Sequence, residues 1–462
     1  MGLRTLLFAL LFAGSAAAAL VVPLVGLLGY MAHYIIGPDR QWWNAPLRPY
    51  GLRYSFILAA STAIGMVFRI RGLKFGREVL KLQEKLLLAL LTLVWVLRLV
   101  SEPTVGYTII DHPSLKLTKV ALFVLVLTHL VTEARSLKLL MWLLAISTLL
   151  LGVQAYTMPL SAFESARLEN VGGADFAEAN FLSAFIAGVL PVMGVLFLQS
   201  KWPGKTLAVL AGVFSVNAII LTRSRGAVVG IALGGVLAVL MAPRRYRLKI
   251  VVGLLVVVIG GVYLADPGFL RRVSTLNRPE EELDIATIGR IETWRASVQM
   301  LRDHPLGIGP GNFFQMIGRY NPKYAFRDAH NTYSRCFVEL GIPGLVLFGM
   351  LIANAVIVAR RAMRRALSLR PELRDQILYP AYGFAVGLCM MLCCGLTVTL
   401  LYTEAVWWFL MFPTCVERAV DNLATETVPR PAQAGSIRRA IAGGVSRVRR
   451  SRNPLRARKA DQ

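Results

Sequence analysis

Continuous apolar runs recur along the whole chain, and short clusters of charged residues separate them. Most of these runs are long enough, or nearly so, to cross the ~30 Å hydrocarbon layer of a bilayer as an α-helix. Lipid admits only helices or closed barrels, and runs that do not alternate with polar residues favour helices. Only 17% of the residues are charged, against 56% that are hydrophobic, which excludes a soluble protein. The sequence therefore predicts an all-α, polytopic membrane protein with about twelve transmembrane helices.

The first predicted segment, 3–36, is either a single retained anchor or two short helices. The other predicted spans are 54–68, 86–100, 117–131, 139–155, 181–198, 207–221, 228–241, 250–264, 337–358, 377–398 and 401–416.

The net charge of +25 is concentrated in clusters that alternate with less basic connections. Positive residues beside membrane segments mark the cytoplasmic side. We therefore place the basic clusters inside, at 69–85, 135–138, 201–205, 244–249, 360–374 and beyond 417. We place the alternate connections outside, at 40–53, 101–114, 157–179, 222–226, 266–335 and near Thr399.

We predict one membrane domain, 1–419, which contains the large outside loop 266–335. The segment 420–462 is expected to be a disordered, basic cytoplasmic tail, attracted to the anionic lipids of the inner leaflet. The tail lacks interleaved aromatic residues, so no nucleic-acid partner is expected. The five cysteines lie in or beside apolar spans, where buried free thiols are expected, and their spacing suggests no metal site.

Two arginines occupy a very tight connection between two predicted spans, in the sequence TRSRG at 222–226. Burying a charge at that depth is costly, so such residues usually face a cavity or a ligand. The rigid donor fork of arginine suits phosphate oxygens. Arg225 and, less strongly, Arg223 are therefore candidate anion-binding residues. The alternative is that both anchor the hairpin among the lipid headgroups.

The segment after Gly289 has apolar residues at helical spacing, which predicts an amphipathic helix on the outer membrane face. The predicted stripe is Ile291, Trp294, Val298 and Leu301. Arg290 would lie in the first turn, where the helix dipole favours an anion rather than a cation. A bound anion would therefore stabilise both Arg290 and the helix terminus.

The tetrapeptide Asp328-Ala329-His330-Asn331 precedes the span that we place near Phe337. Asp328 could cap that helix, which would put His330 in its first turn. The positive end of the dipole disfavours the imidazolium form there, and a neutral imidazole can accept a proton. From the residues alone, a capping or interfacial histidine remains an equal alternative.

A series of short motifs resembles the O-antigen ligase and polymerase superfamily. The motifs are DFAEAN at 175–180, SRG at 224–226, R-x-x-x-W at 290–294, HPLGIGPGNF at 304–313, HN at 330–331 and ELGIPG at 339–344. Their order, their spacing and the large outside loop late in the chain match that superfamily. The segment 36–40 resembles the branch found beside exosortase systems.

The resemblance implies a GT-C-like, metal-independent glycosyltransferase without a cofactor. It would lie in the bacterial inner membrane, among its lipids, with its active site facing the periplasm. The donor would be a glycan on undecaprenyl diphosphate. The acceptor would be a hydroxyl of lipid A core, of another glycan or of a protein. An O-antigen ligase, a polysaccharide polymerase and a protein O-oligosaccharyltransferase thus remain open.

The resemblance also assigns roles to individual residues. Arg225 and Arg290 match the arginines expected to hold the diphosphate, and His330 matches the histidine expected to activate or orient the acceptor hydroxyl. Arg223, Asn331, Trp294 and Asp328 lie beside these residues in the sequence and are expected to bind substrate.

Two other classes of protein are alternatives to an enzyme. A transporter or flippase of lipid-linked glycans would have ionisable residues near mid-span and halves related by a repeat. The sequence has few such charges and no internal repeat, and the main candidate, Glu404, lies close to an outer span end. A scaffold membrane protein would not need three arginine or histidine sites on one side.

Overall fold

The computed structural model describes residues 2–69, 78–159, 161, 163–164, 167–274 and 285–427. The predicted tail beyond 427 and part of the first basic cluster, 70–77, lie outside the described residues.

Helices dominate the described residues, which confirms the predicted all-α class. They are α1 (Leu3–Val21), α2 (Pro23–Ile36), α3 (Tyr54–Arg69), α4 (Leu82–Val100), α5 (Pro113–Leu130), α6 (Ala134–Thr157), α7 (Ala179–Gln199), α8 (Trp202–Thr222), α9 (Arg225–Met241), α10 (Arg247–Leu264), α11 (Pro267–Ser274), α12 (Ile285–Asp303), α13 (Phe313–Tyr320), α14 (Thr332–Leu367), α15 (Pro371–Cys394) and α16 (Glu404–Thr427). Short 3₁₀ turns connect several of them, and the strands β1 (Phe163–Glu164) and β2 (Arg167–Leu168) form one antiparallel pair.

Eight described helices are long and apolar enough to cross a membrane, namely α1, α5, α6, α7, α8, α10, α14 and α15. A ninth span results if the 3₁₀ helix Trp42–Tyr50 and α3, which meet at a bend of 69°, are counted together. The other predicted spans fall on α4, on α16 and on α9, which has 17 residues. The polytopic architecture is thus confirmed, whereas the number of about twelve spans stays a prediction.

The first predicted segment is two helices rather than one. The helix is interrupted at Val22, and Pro23 begins α2. The N–H at the first position of a helix has no partner within the helix, so proline loses no hydrogen bond there. The helices fold back on each other, so that Gly26 faces Ala19 and Gly29 faces Ser15. Small residues at these crossings let the helices approach closely.

Helix α16 is the buried axis of the bundle. Trp407, Trp408, Phe409, Phe412 and Cys415 are all fully buried, and they surround the helix rather than form one stripe. Helices α4, α5, α14 and α15 pack around it. An apolar surface on every side is typical of such a central helix.

One end of the bundle carries ion pairs between helix termini. Lys81 and Arg365 both pair with Asp421, at 3.0 Å and 2.6 Å, and Arg418 pairs with the buried Glu84 at 2.7 Å. These arginines and lysines belong to the basic clusters that were predicted to share one side. Their meeting at a single end agrees with that placement.

The connections predicted to lie outside meet at the opposite end. The 157–179 connection contacts α2 through the Gly173 amide, which donates to the Ile35 carbonyl. The 101–114 connection contacts the large loop through Asn312, which donates to the Glu102 carbonyl. The connection after α15 contacts α14 through the Thr332 amide and the Gly395 carbonyl. The fold therefore gathers the motif-bearing segments at one end of the bundle.

Helix α14 is broken at Gly341, whose φ of 67° and ψ of −167° are not helical. The HPLGIGPG segment docks against this break. The Ile308 and Gly309 amides donate to the Val338 and Glu339 carbonyls, each at 3.0 Å, and the Ile342 amide donates to the Pro305 carbonyl at 2.9 Å. The large loop is thus joined to α14 by backbone hydrogen bonds that an unbroken helix could not offer.

Candidate active site

A polar cavity of about 390 Å³ opens among the gathered connections. Its size falls within the range of small-molecule sites. It is lined by Lys116, Ala174, Asp175, Ala177, Glu178, Phe181, Phe314, Asp328, His330, Arg335, Thr399, Tyr402 and Thr403. Two of the predicted site residues, Asp328 and His330, therefore lie on its wall.

His330 directly precedes Asn331, the residue before α14, and has a positive φ of 46°. Asn331 is the N-cap, because its side-chain oxygen accepts the amides of Tyr333 at 2.8 Å and Ser334 at 2.9 Å. The prediction that Asp328 caps this helix and that His330 lies in its first turn is therefore wrong. The half-exposed imidazole instead faces the cavity from a tight turn outside the helix.

Asp328 holds the backbone of His330 rather than the helix end. Its Oδ2 accepts the His330 amide at 3.2 Å and lies 3.8 Å from the imidazole Nδ1. Burial would raise the pKa of Asp328, but the Arg335 guanidinium and the Thr399 hydroxyl outweigh burial and hold that pKa below its ordinary value. The Asp328 carboxylate therefore lies beside the imidazole of His330.

Arg335 fixes that carboxylate. Its guanidinium is almost fully buried, donates to Asp328 Oδ1 at 2.8 Å and to Glu339 Oε1 at 2.6 Å, and lies over the rings of Phe313 and Phe314. Arg335 was not predicted from the sequence. The residue connects the cavity wall to the helix break, which supports the turn that carries His330.

The predicted arginine hairpin is confirmed as a two-residue connection. Arg223 ends α8 in the left-handed conformation, and Ser224 caps α9 by accepting the Ala227 amide, so Arg225 is the first helical residue. Arg223 pairs with Asp266 at 2.9 Å, which joins the hairpin to the connection after α10. Arg223 thus has a structural partner beside the site.

Arg167 of β2 lies within electrostatic range of both predicted diphosphate arginines. Burial lowers its pKa, the carboxylates of Glu169 and Glu178 oppose that effect, and the guanidinium groups of Arg290 and Arg225 lower the pKa further. Arg225 and Arg290 therefore lie close enough to Arg167 for their charges to repel it. A bound anion would relieve this repulsion.

Asn180 joins the arginine cluster, Arg167, Arg225 and Arg290, to the cavity. Its side-chain oxygen accepts from Arg167 Nη2 at 2.8 Å and from the Ser224 hydroxyl at 3.0 Å. Its amide nitrogen donates to Glu178 Oε1 at 2.8 Å, and Glu178 lines the cavity. The side chains of Asn180 and Glu178 thus connect the arginine cluster to the wall that also contains His330.

Helix α12 differs from the prediction in its start and its buried face. It begins at Ile285, so Arg290 lies in the second turn rather than the first. The buried positions are Gly289, Thr293, Ala296, Ser297 and Met300, and α12 packs against α13 and α14. Val298, a member of the predicted stripe, is 45% exposed.

Trp294 connects α12 to the His330 turn. Its indole Nε1 donates to the Ala329 carbonyl at 2.9 Å. This bond holds the backbone of the residue next to His330, so Trp294 helps to position the turn. That Trp294, Arg223 and Asn331 contact the substrate stays a prediction.

Several residues of the site were not predicted individually from the sequence, namely Arg167, Lys116, Asp175, Glu178, Arg335 and Tyr402. The DFAEAN motif, which carries part of the resemblance, supplies Asp175, Glu178 and Asn180. Lys116 pairs with Asp175 at 2.7 Å across the cavity wall. Their long sequence separation leaves no local pattern from which this pair could be predicted.

The fold and the site define a polytopic helical membrane protein with a polar cavity and an arginine cluster at one end of its bundle. Residues 210–349 match the family model described as O-antigen ligase, and this match supports the O-antigen ligase superfamily. The match supports a glycosyl-transfer enzyme of the ligase or polymerase type, and it covers Arg223, Arg225, Arg290 and His330. No curated protein matches the chain.

Proposed function

We propose that the protein transfers a glycan from undecaprenyl diphosphate to an acceptor hydroxyl on the periplasmic face of the bacterial inner membrane. The main support is the gathering of Arg225 and Arg290 around Arg167, beside the cavity that His330 lines. Guanidinium groups match the geometry of phosphate oxygens, and several together can hold a diphosphate. The basic clusters at the opposite end of the bundle support the orientation.

The proposed reaction is an inverting displacement at the anomeric carbon. The acceptor oxygen forms a bond to that carbon while the bond from the carbon to the diphosphate oxygen breaks, and the diphosphate keeps the electron pair. The hydroxyl proton passes to the imidazole of His330, whose backbone amide is held by the Asp328 carboxylate. The arginine cluster stabilises the charge of the departing diphosphate. We expect no metal requirement, because these guanidinium groups can supply that positive charge.

The test is glycan transfer by the purified protein from a defined lipid-linked donor. Arg225→Ala, Arg290→Ala and His330→Ala should each lower kcat/KM by about 100-fold or more, because each removes charge stabilisation or proton transfer. Arg295→Ala is the matched control, since Arg295 lies on α12, is exposed and pairs only with Glu292 among the described ion pairs. Full activity in all three site variants contradicts the proposal.

Parallel reactions should contain lipid A core, a second lipid-linked glycan or a serine-containing protein as acceptor. The acceptor that receives the glycan then distinguishes a ligase, a polymerase and a protein O-oligosaccharyltransferase. Movement of the donor across the bilayer without transfer to any acceptor would instead favour a flippase.

A further inference from the structure

Glu178 lies where the arginine cluster meets the cavity. Its side chain lines the cavity, and its Oε1 accepts from Asn180, whose own oxygen accepts from Arg167. In the proposed reaction, the diphosphate lies on the arginine cluster and the acceptor hydroxyl lies beside His330. The sugar ring that is transferred must bridge these two groups, so it must pass Glu178.

The placement of Glu178 is not explained by helix capping. It is the N-cap residue of α7, yet its side chain makes no capping hydrogen bond. Asn180, two residues further on, holds the carboxylate at 2.8 Å instead. The side chain is thus fixed toward the cavity rather than toward the amides of its own helix.

Glycosyl transfer builds positive charge on the anomeric carbon and the ring oxygen as the leaving group departs. A fixed carboxylate beside that ring stabilises the developing charge without forming a bond to it. Of the carboxylates on the cavity wall, Asp328 is bound by Arg335 at 2.8 Å and Asp175 by Lys116 at 2.7 Å. Glu178 instead accepts from the neutral amide of Asn180 while its charge also acts on Arg167, so its charge is less closely paired and more available to a substrate.

We propose that Glu178 is a catalytic residue that faces the transferred sugar and stabilises its oxocarbenium-like transition state. This inference rests on the proposed glycosyl transfer. Glu178 lies outside the segment that matches the O-antigen ligase family, so the match does not assign it a role. The competing explanation is that Glu178 only balances the positive charge of the arginine cluster.

The variant Glu178→Gln separates the two explanations, because glutamine keeps the shape and the oxygen that accepts from Asn180 but removes the charge. The catalytic role predicts that kcat falls by about 100-fold or more while KM for the lipid-linked donor changes little. Simple charge balance predicts the reverse: kcat stays, and undecaprenyl diphosphate binds more tightly because the arginine cluster is less neutralised. Binding is measured with undecaprenyl diphosphate alone, which cannot react.

Glu169→Gln is the matched control, since Glu169 also acts on the charge of Arg167 but does not line the cavity. It should leave kcat unchanged.

If the Glu178→Gln variant does not fold, Glu178→Asp serves instead. Aspartate withdraws the carboxylate by one methylene, which should lower kcat. A kcat equal to that of the wild-type protein would overturn the inference. Failure of the proposed function itself is distinguishable, because the wild-type protein would then transfer no glycan.

Discussion

The Nε atom of Arg335 donates to Oε1 of Glu339 at 2.6 Å, one turn further along α14, and both side chains are almost fully buried. The other Glu339 oxygen accepts from the Tyr402 hydroxyl at 2.7 Å. Glu339 stands at the helix break, while Arg335 also holds Asp328 beside His330. This buried network links the docking of the large loop to the cavity wall.

Arg335→Ala should lower the free energy of unfolding by about 3–5 kcal/mol, because it leaves the Glu339 carboxylate buried without its guanidinium. Thermal or denaturant unfolding in detergent measures the effect. The control is Arg295→Ala, whose exposed pair with Glu292 should be worth less than about 1 kcal/mol. Equal losses in the two variants would show that the buried network does not stabilise the fold.

Gly341→Ala should lower the free energy of unfolding by about 3 kcal/mol or more, since the backbone conformation at this position is essentially restricted to glycine. A Cβ here would also overlap the backbone of Leu306 and Gly307. Gly349→Ala, on the same helix with open space around its Cβ position, should be neutral or up to about 1 kcal/mol more stable. Unfolding curves of the two variants that coincide would contradict this prediction.

The apolar runs predicted the helices well, but they predicted the start of α14 incorrectly. The apolar run that predicts α14 starts at Phe337, whereas the helix starts at Thr332. Its first turn holds Thr332, Ser334 and Arg335, which are polar in sequence but buried in the structure. Hydropathy cannot detect a helical turn whose polar groups are satisfied by partners distant in the chain.

Site residues that belong to short sequence motifs could be predicted from the sequence. Site residues that only tertiary contacts bring to the site could not. Arg225 and His330 belong to short motifs, and a chain of contacts through Arg167, Asn180 and Glu178 connects them. Arg167 itself is a single arginine in a connection that predicts nothing further. Its role depends on the meeting of β2, α7 and the hairpin, which only the tertiary structure shows.

Asn331→Ala should lower the free energy of unfolding by about 1–2 kcal/mol, because the amides of Tyr333 and Ser334 lose their acceptor. Asn331→Asp keeps that acceptor but removes the side-chain amide that donates to the Leu396 carbonyl at 3.1 Å, so it should retain only part of the stability. Because His330 precedes the cap directly, the alanine variant should also lower kcat more than it raises KM for the donor. An aspartate variant as unstable as the alanine variant would mean that capping is not the main role of Asn331.

His112 is expected to make stability depend on pH through its role as the N-cap of α5. Its Nδ1 accepts the Ser114 amide at 3.1 Å, which requires the neutral ring. Burial, together with the charge of Arg98, lowers the pKa of His112 to about 4 from an ordinary 6.5. The unfolded chain therefore takes up a proton at a higher pH than the folded chain does.

The stability that His112 contributes is complete above pH ~6.5 and is lost as the pH falls from ~6.5 toward ~4. His112→Asn should remove this loss, because asparagine caps a helix equally well and does not titrate. We expect the fall in Tm between pH 7 and pH 4.5, measured in the same detergent, to be smaller for His112→Asn than for the wild-type protein. His129→Asn is the control, since the ring of His129 lies beside Glu84 at the opposite end of the bundle. If the Tm of the wild-type protein and the Tm of His112→Asn fall equally as the pH is lowered, His112 does not cause the pH dependence. Its imidazole would then take up a proton without breaking the cap.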